Sequence, residues 1–209
     1  MFYDTVKNDH GLARNPFKAI VAPRPIGWIT SMNAMGEINL APYSFFNAVS
    51  DAPPIVLFSS EGRKDSLVFV EETREFVCNL ATLALRSAVV ETSVQFPRGV
   101  NEMERCGLTA APSRLVRPPR VAASPCALEC KLLQIIDVKD LQGRPSNRYV
   151  VFGQVVGVHI DDAFIKNGRL DTAAMQPLAR CGYADYSTVD RIFAMERPQL
   201  AVAQQVAAE

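Results

Sequence analysis

Short strand-like runs, separated by prolines and turn residues, dominate this chain and restrict its fold more than any other feature. In residues 25–32 the alternation places Ile26, Trp28, Thr30 and Met32 on one face, as in a half-buried strand. Similar runs follow at residues 37–46, 55–59, 76–80, 126–136 and 149–160. Because no strand–helix–strand alternation connects these runs, the sequence predicts a mainly β domain, either a barrel or a sandwich, with a few helices attached.

Helical patterns are few. Residues 83–94 carry the clearest amphipathic stripe, which predicts a helix there. Residues 66–73 fit helix or strand by periodicity, and Asp65 or Ser66 as the N-cap favours the helix. Residues 111–125 hold four prolines and are predicted to cross the surface of one domain rather than to separate two domains.

Charge, cysteine content and the N-terminus exclude several classes of protein. Lys plus Arg and Asp plus Glu both number 22, so the basic excess typical of nucleic-acid binders is missing. The N-terminus lacks the pattern of a secretory signal, and no apolar run approaches the ~18 residues that span a bilayer. Five scattered cysteines suit a reducing compartment. We therefore expect a cytoplasmic protein that binds neither nucleic acid nor membranes.

The common catalytic and phosphate-binding motifs are missing from the sequence. There is neither a GxGxxG segment after a strand nor a GxxxxGK[ST] loop. The two histidines, His10 and His159, provide little material for a metal site or a hydrolase triad. Cys126 and Cys130 have no second Cys or His pair at zinc-like spacing and are interpreted as packing thiols. We therefore predict no metal site and assign no catalytic side chain.

One apolar segment, residues 39–60 (NLAPYSFFNAVSDAPPIVLFSS), carries more polar side chains than a core strand tolerates. They are Asn39, Ser44, Asn47, Ser50, Ser59 and Ser60. A buried polar group without a partner costs about 1–3 kcal/mol. These groups are therefore expected to contact a ligand.

The octapeptide that closes this segment, residues 59–66 (SSEGRKDS), has the composition of an anion site. Hydroxyl groups, the guanidinium of Arg63, the ammonium of Lys64 and the N–H groups of a starting helix occur together. Taken alone, the octapeptide also fits a solvated polar turn. Because the octapeptide follows an apolar segment that carries several hydroxyl and amide side chains, the two together indicate a ligand that is flat at one end and phosphorylated at the other.

Several sequence blocks resemble the flavin reductase-like family of FMN-binding split barrels, and its flavoredoxin-like branch in particular. They include PRPIGWITS, the turn at Gly36, NLAPYSFFNAVSDAPP, EFVCNLA, FPRGVNEMERCGLT, SPCALECKL, VVFGQVVGVHIDD and PLARCGYADY. The resemblance implies a six-stranded antiparallel split β-barrel with Greek key topology. It implies one domain over residues 1–209, with a core at about 14–190 and a C-terminal tail at 191–209, where AVAQQVAAE is expected to fray.

The resemblance also implies which residues bind the flavin. Thr30 and Ser31 match residues that line the flavin, and Asn39, Leu40 and Ala41 match the segment along the isoalloxazine edge. Ser44 matches a polar contact toward the ribityl chain and phosphate, and Ser59, Arg63, Lys64 and Ser66 match the phosphate site. Asp65 is expected to cap the following helix, and Trp28 to belong to the core. Arg180 and Tyr183 match a loop that approaches the flavin in relatives.

Three functions remain open at this point. The protein is an NAD(P)H-dependent flavin reductase, an electron carrier that holds FMN, or a flavin-binding module without nicotinamide activity. We expect FMN rather than FAD, because the cations suit a terminal phosphate and no second nucleotide pocket is visible. The expected partners are a second copy of the chain, in a homodimer with FMN at the interface, and a flavin-dependent monooxygenase or electron-transfer partner.

Overall fold

The structure is a computed structural model that describes residues 1–198. Residues 199–209, which include the segment expected to fray, lie outside the described residues. The strands are β1 (Arg24–Pro25), β2 (Gly27–Met32), β3 (Ile38–Tyr43), β4 (Phe46–Asp51), β5 (Pro54–Glu61), β6 (Glu75–Leu80), β7 (Ala110–Ala111), β8 (Arg120–Val121), β9 (Cys126–Lys139), β10 (Pro145–Ile160), β11 (Ile165–Lys166), β12 (Arg169–Leu170), β13 (Leu178–Arg180) and β14 (Tyr186–Thr188). The helices are α1 (Phe17–Ile20), α2 (Asp65–Thr73), α3 (Arg86–Glu91), α4 (Glu102–Arg105) and α5 (Thr172–Met175), with 3₁₀ turns at Leu83–Leu85 and Asp162–Phe164. Within residues 1–198, no helix has the length and apolarity needed to cross a membrane.

A seven-stranded antiparallel sheet forms the body of the protein, with the order β3-β2-β6-β9-β10-β5-β4. Its two edge strands, β3 and β4, are joined by only Ser44 and Phe45. The sheet must therefore curl so that the end of β3 lies close to the start of β4. Gly27 on β2 fits this closure, because a Cβ atom there would lie 2.5 Å from the Phe46 ring on β4. The mainly β prediction is confirmed.

The predicted number of strands is wrong, since the main sheet has seven strands and not six. The run at residues 37–46 ends at Tyr43, and the chain turns through Ser44 and Phe45 before starting β4. β4 then pairs with β5. The sequence did not predict β4 because it is a largely exposed edge strand without apolar alternation.

The two faces of the curled sheet carry separate apolar clusters, because side chains alternate along a strand. Ile29, Phe58 and Phe76 belong to the cluster on one face, where the last two rings meet edge-on at 5.5 Å. Trp28 and Leu40 belong to the cluster on the other face, which also holds residues of α3 and α4. Trp28 is fully buried, and its Nε1 donates to Thr92 Oγ1 at 2.9 Å. The interpretation of Trp28 as a core residue is confirmed.

The predicted helices exist with different ends. α2 takes Lys64 as its N-cap residue, one position before Asp65, and no side chain caps it. The predicted helix at 83–94 is divided into a 3₁₀ turn and the short α3. The segment 111–125 is less superficial than predicted, because Val121 is fully buried and its N–H donates to Asn79 Oδ1 at 2.8 Å.

Candidate functional site

A cleft of about 540 Å³ opens where β3, the N-terminus of α2 and the segment after α3 meet. Its lining residues are Asn39, Ala41, Pro42, Tyr43, Lys64, Asp65, Ser66, Thr92, Ser93, Val94, Gln95, Phe96, Arg98 and Glu102. We refer to it as the main cleft. Small-molecule sites in proteins occupy about 300–1,000 Å³, so the main cleft has room for a mononucleotide.

The polar side chains of β3 partly satisfy one another at the wall of the main cleft. Asn39 lies opposite Ser31 in the pairing of β3 with β2. Its Nδ2 donates to Ser66 Oγ at 2.7 Å and lies 3.5 Å from Ser31 Oγ. Since Ser66 Oγ accepts the bond from Asn39, its own proton remains available for a ligand. The hydrogen bond from Asn39 therefore fixes the position of the Ser66 hydroxyl in the cleft wall.

The N-terminus of α2 supplies positive potential to the main cleft. Lys64 is exposed, and no described side chain makes a capping bond to α2. Because the first N–H groups of an α-helix have no partner within the helix, those of α2 can bind a ligand. The helix dipole adds partial positive charge at this end. Arg98 approaches from the facing segment and donates from Nε to Asp65 Oδ1 at 2.8 Å. Its two terminal nitrogens bond to no residue within 1–198 and are available for other contacts. This end of the cleft suits an anion.

Glu102 is the buried carboxyl in the cleft wall. Its Oε2 accepts a hydrogen bond from the Leu40 N–H at 3.0 Å, and Asn101 caps α4 so that Glu102 is fixed in the first turn. Burial raises the pKa of Glu102 from its usual value, and the charge of Asp65 acts in the same direction.

Four of the predicted binding residues line the main cleft: Asn39, Ala41, Lys64 and Ser66. Leu40 turns its side chain to the opposite face of β3, and only its backbone reaches the wall, through Glu102. Thr30 and Ser31 are fully buried behind the wall. Thr30 Oγ1 accepts a hydrogen bond from Asn79 Nδ2 at 2.9 Å, so it positions strands and does not line the cleft.

The structure separates the remaining predicted residues from the main cleft. Arg63 forms an ion pair with Glu71 along α2, and its guanidinium lies 5.9 Å from the Tyr149 ring centroid. The chain turns at Gly62, where φ is +74°, and directs consecutive cations to different sides. Ser59 lies within β5 and donates its N–H to the Phe45 carbonyl at 2.8 Å. Of the four residues predicted to bind the phosphate, Lys64 and Ser66 line the main cleft, and Ser59 and Arg63 do not.

A second, smaller cleft of about 180 Å³ adjoins the main cleft and shares Pro42 and Ser93 with it. Ser44, Arg180 and Tyr183 lie in its wall and not in the main cleft. The residues that sequence reasoning missed are Arg98, Glu102 and the segment 92–96. Phe96, Arg98 and Glu102 belong to the block FPRGVNEMERCGLT, which carried a resemblance without assigning roles to its residues, and residues 92–95 precede that block.

Comparison with known proteins gives a family and a set of similar folds. The family model described as the flavin reductase like domain matches residues 21–174. Nitrilotriacetate monooxygenase component B from Bacillus cereus is similar to this chain at 26% identity and a TM-score of 0.83, covering 93% of this chain and 98% of its own. The 2-nitrobenzoate 2-nitroreductase of Pseudomonas fluorescens is similar at 28% identity and a TM-score of 0.83, covering 96% and 98%.

The flavoredoxin of Desulfovibrio vulgaris (Miyazaki F) shares the fold at a TM-score of 0.74, with 18% identity over 83% of this chain and 90% of its own. The family resemblance stated from sequence blocks is confirmed by these findings. They also confirm a split-barrel architecture, with seven strands in the main sheet of this chain.

Proposed function

Since this chain belongs to the flavin reductase-like family, we propose that it is an oxidoreductase that binds FMN in the main cleft and accepts hydride from NAD(P)H. The observation that carries this proposal is the pairing of an uncapped helix N-terminus with Lys64 and Ser66 at one end of a cleft of mononucleotide size. FMN has a planar ring system at one end and a phosphate at the other. In the main cleft, β3 suits the ring system and the start of α2 suits the phosphate.

The phosphate end corresponds to the start of α2. Lys64 supplies an ammonium, Ser66 a hydroxyl, and the helix its free N–H groups. Arg98 adds a guanidinium whose Nε is anchored by Asp65. Charge-assisted hydrogen bonds of this kind contribute about 1.5–3 kcal/mol each. The donor set suits a terminal phosphate and supports FMN in preference to riboflavin.

The ring end corresponds to β3. As an edge strand of the main sheet, β3 pairs with β2 on one side only. The backbone N–H and C=O groups on its outer side form no hydrogen bonds with another strand. One of them, the Leu40 N–H, donates to Glu102. The remaining groups, together with the Asn39 amide, suit the polar edge of a planar heterocycle. The role proposed for Asn39, Leu40 and Ala41 is therefore to orient the ring.

The chain itself is not required to donate or remove a proton at the reacting atoms. When bound, FMN supplies hydride acceptance, and the protein supplies orientation and polarity. Both histidines are engaged elsewhere. His10 Nδ1 accepts the Leu12 N–H at 2.9 Å, and His159 pairs with Glu129. Neither histidine lines the main cleft.

Two other activities use the same cleft. An electron carrier would hold FMN and receive electrons from a protein partner, and a storage module would hold FMN without turnover. The similarity to a protein named monooxygenase component B supports delivery of reduced flavin to a monooxygenase partner. That similarity favours the reductase over the two alternatives.

Anaerobic mixing of the purified protein with FMN and either NADH or NADPH tests the reductase. We expect the visible flavin absorbance to bleach with at least one of the two nucleotides, much faster than in a mixture without protein. Dithionite serves as the control that the bound flavin is reducible. Bound FMN that dithionite bleaches but neither nucleotide does would contradict the reductase and leave the electron carrier or the storage module.

A further inference from the structure

The smaller cleft beside the main cleft is lined by three cations, Lys18, Arg24 and Arg180. We refer to it as the basic cleft. It lies between the N-terminal segment around α1 and the hairpin of β13 and β14, which carries Arg180 at the end of β13. β1 pairs with β13, so Arg24 and Arg180 are directly opposite in register. The sheet pairing itself therefore brings two guanidinium groups to one site.

Arg24 is the most unusual of the three cations, because it is only 7% exposed. Its terminal nitrogens donate to the backbone carbonyls of Lys18, Val21 and Cys181, the last at 2.7 Å. Its Nε is buried and has no hydrogen-bond partner within the described chain. Carbonyl oxygens satisfy donors without neutralising the charge, and a buried unpaired charge is costly. Arg24 therefore favours an anion in this cleft.

The described residues supply no such anion. Six ion pairs form within residues 1–198, and none of them includes Lys18, Arg24 or Arg180. No described aspartate or glutamate lines the basic cleft. Arg180 stacks on the Tyr186 ring at 4.4 Å and donates to the Tyr183 carbonyl at 2.6 Å. These contacts orient its guanidinium and leave its charge unneutralised.

The size and the walls of the basic cleft define the class of anion. A volume of about 180 Å³ is below the ~300–1,000 Å³ range of ordinary ligand sites, so a dinucleotide does not fit inside it. Ile26, Pro42, Tyr183 and Tyr186 give the cleft apolar and aromatic walls. A planar aromatic body suits the Tyr183 ring and the apolar side chains of Ile26 and Pro42, since Arg180 already stacks on Tyr186. A carboxylate suits the forked donors of arginine.

We propose that the basic cleft binds the carboxylate of a small aromatic acid. The shared wall of Pro42 and Ser93 places this acid beside the main cleft. The inference goes beyond the proposed function and does not depend on it, since Lys18, Arg24 and Arg180 lie outside the main cleft.

Calorimetric titration of the full-length protein, with and without added FMN, tests the site with three probes: benzoate, benzamide and inorganic phosphate. We expect benzoate to bind at least about tenfold more tightly than benzamide, which has the same shape without the charge. Lys18→Gln and Arg180→Gln should each lower benzoate affinity about tenfold and leave benzamide unchanged. Both residues are used because Arg24 variants would also release three backbone carbonyls and endanger folding.

Arg144→Gln is the matched control. Arg144 pairs with Asp140 in the exposed turn between β9 and β10, so the variant loses the same charge away from the cleft. It should bind benzoate as the parent does.

Three results would overturn the inference. The first is equal affinity for benzoate and benzamide. The second is tighter binding of phosphate than of benzoate, which would change the ligand class. The third is a loss of FMN affinity in Lys18→Gln and Arg180→Gln without a loss for riboflavin, which would assign the cations to the flavin phosphate. If FMN fails to bind but benzoate selectivity holds, the proposed function fails and the basic cleft stands.

Discussion

At the scale of single residues, burial and pairing determine whether a charged side chain is available to a ligand or stabilises the fold. Arg63 and Lys64 are neighbours in sequence, yet Arg63 pairs with Glu71 and Lys64 lines the main cleft. Glu129 shows the same dependence in the core. Its fully buried carboxylate accepts the N–H groups of Arg114 and Leu115, at 2.7 and 2.5 Å, and contacts His159. These hydrogen bonds hold the segment 111–125 against β9.

From the hydrogen bonds of the Glu129 carboxylate we predict that the protein loses stability in acid. Burial alone would raise its pKa, but the bonds from His159, Arg114 and Leu115 hold the pKa below its usual value. Its stabilising contribution is therefore complete above the unfolded-state pKa of about 4.3 and is lost as pH falls through the lower folded-state pKa. Glu129→Gln should lower the unfolding free energy at pH 7 by about 1–3 kcal/mol and flatten its dependence on pH below 4.5.

Urea unfolding of the parent and the variant between pH 7 and pH 3 measures both effects. Glu104→Gln, at an exposed glutamate of α4, is the control and should follow the parent. Equal pH slopes for the parent and Glu129→Gln would remove the role assigned to this carboxylate.

At the scale of elements, local patterns predicted those strands that have one apolar face. The six runs read from the sequence all became strands of the main sheet, and β4 was missed because its residues are exposed at an edge. Lys64, Ser66 and Asn39 were predicted to act together, since the polar pattern of residues 39–66 contains them all. Arg98 lies in the irregular segment before α4, and Glu102 is the first residue of α4. Only tertiary packing brings both residues to β3, and no local pattern encodes that contact.

The close approach of Gly153 on β10 to Phe76 on β6, across β9, gives a test of the core packing. A Cβ atom at Gly153 would lie 2.3 Å from the ring of the fully buried Phe76, so Gly153→Ala overpacks the core. We expect thermal or urea unfolding to show a loss of about 1–3 kcal/mol. Gly157→Ala is the matched control on the same strand, because a Cβ there meets its nearest atom at 3.4 Å. Equal losses in both variants would contradict the close contact between Gly153 and Phe76.

At the scale of the whole molecule, apolar surface near the C-terminus supports the homodimer that the family resemblance implies. Ile192, Phe193 and Met195 follow the last strand and are 60%, 82% and 84% exposed. Exposed apolar groups so close together favour contact with a second surface, and a second copy of the chain supplies one by two-fold symmetry.

Light scattering should therefore give about twice the chain mass of 23.0 kDa. A double variant, Ile192→Ser with Phe193→Ser, should shift the protein toward the monomer. Leu141→Ser, at a fully exposed leucine in the turn between β9 and β10, is the control and should leave the mass unchanged. A parent protein that is monomeric with FMN still bound would contradict the dimer.

Titration of FMN and riboflavin into the parent, Lys64→Ala and Arg63→Ala tests most directly the claim that the main cleft holds a flavin phosphate at the start of α2. Lys64→Ala removes one charge-assisted contact, so FMN affinity should fall about tenfold or more while riboflavin affinity stays the same. Arg63→Ala, which removes a neighbouring cation outside the cleft, should change FMN affinity less than about threefold. Equal FMN affinity in the parent and Lys64→Ala, or equal losses for FMN and riboflavin, would contradict the phosphate site.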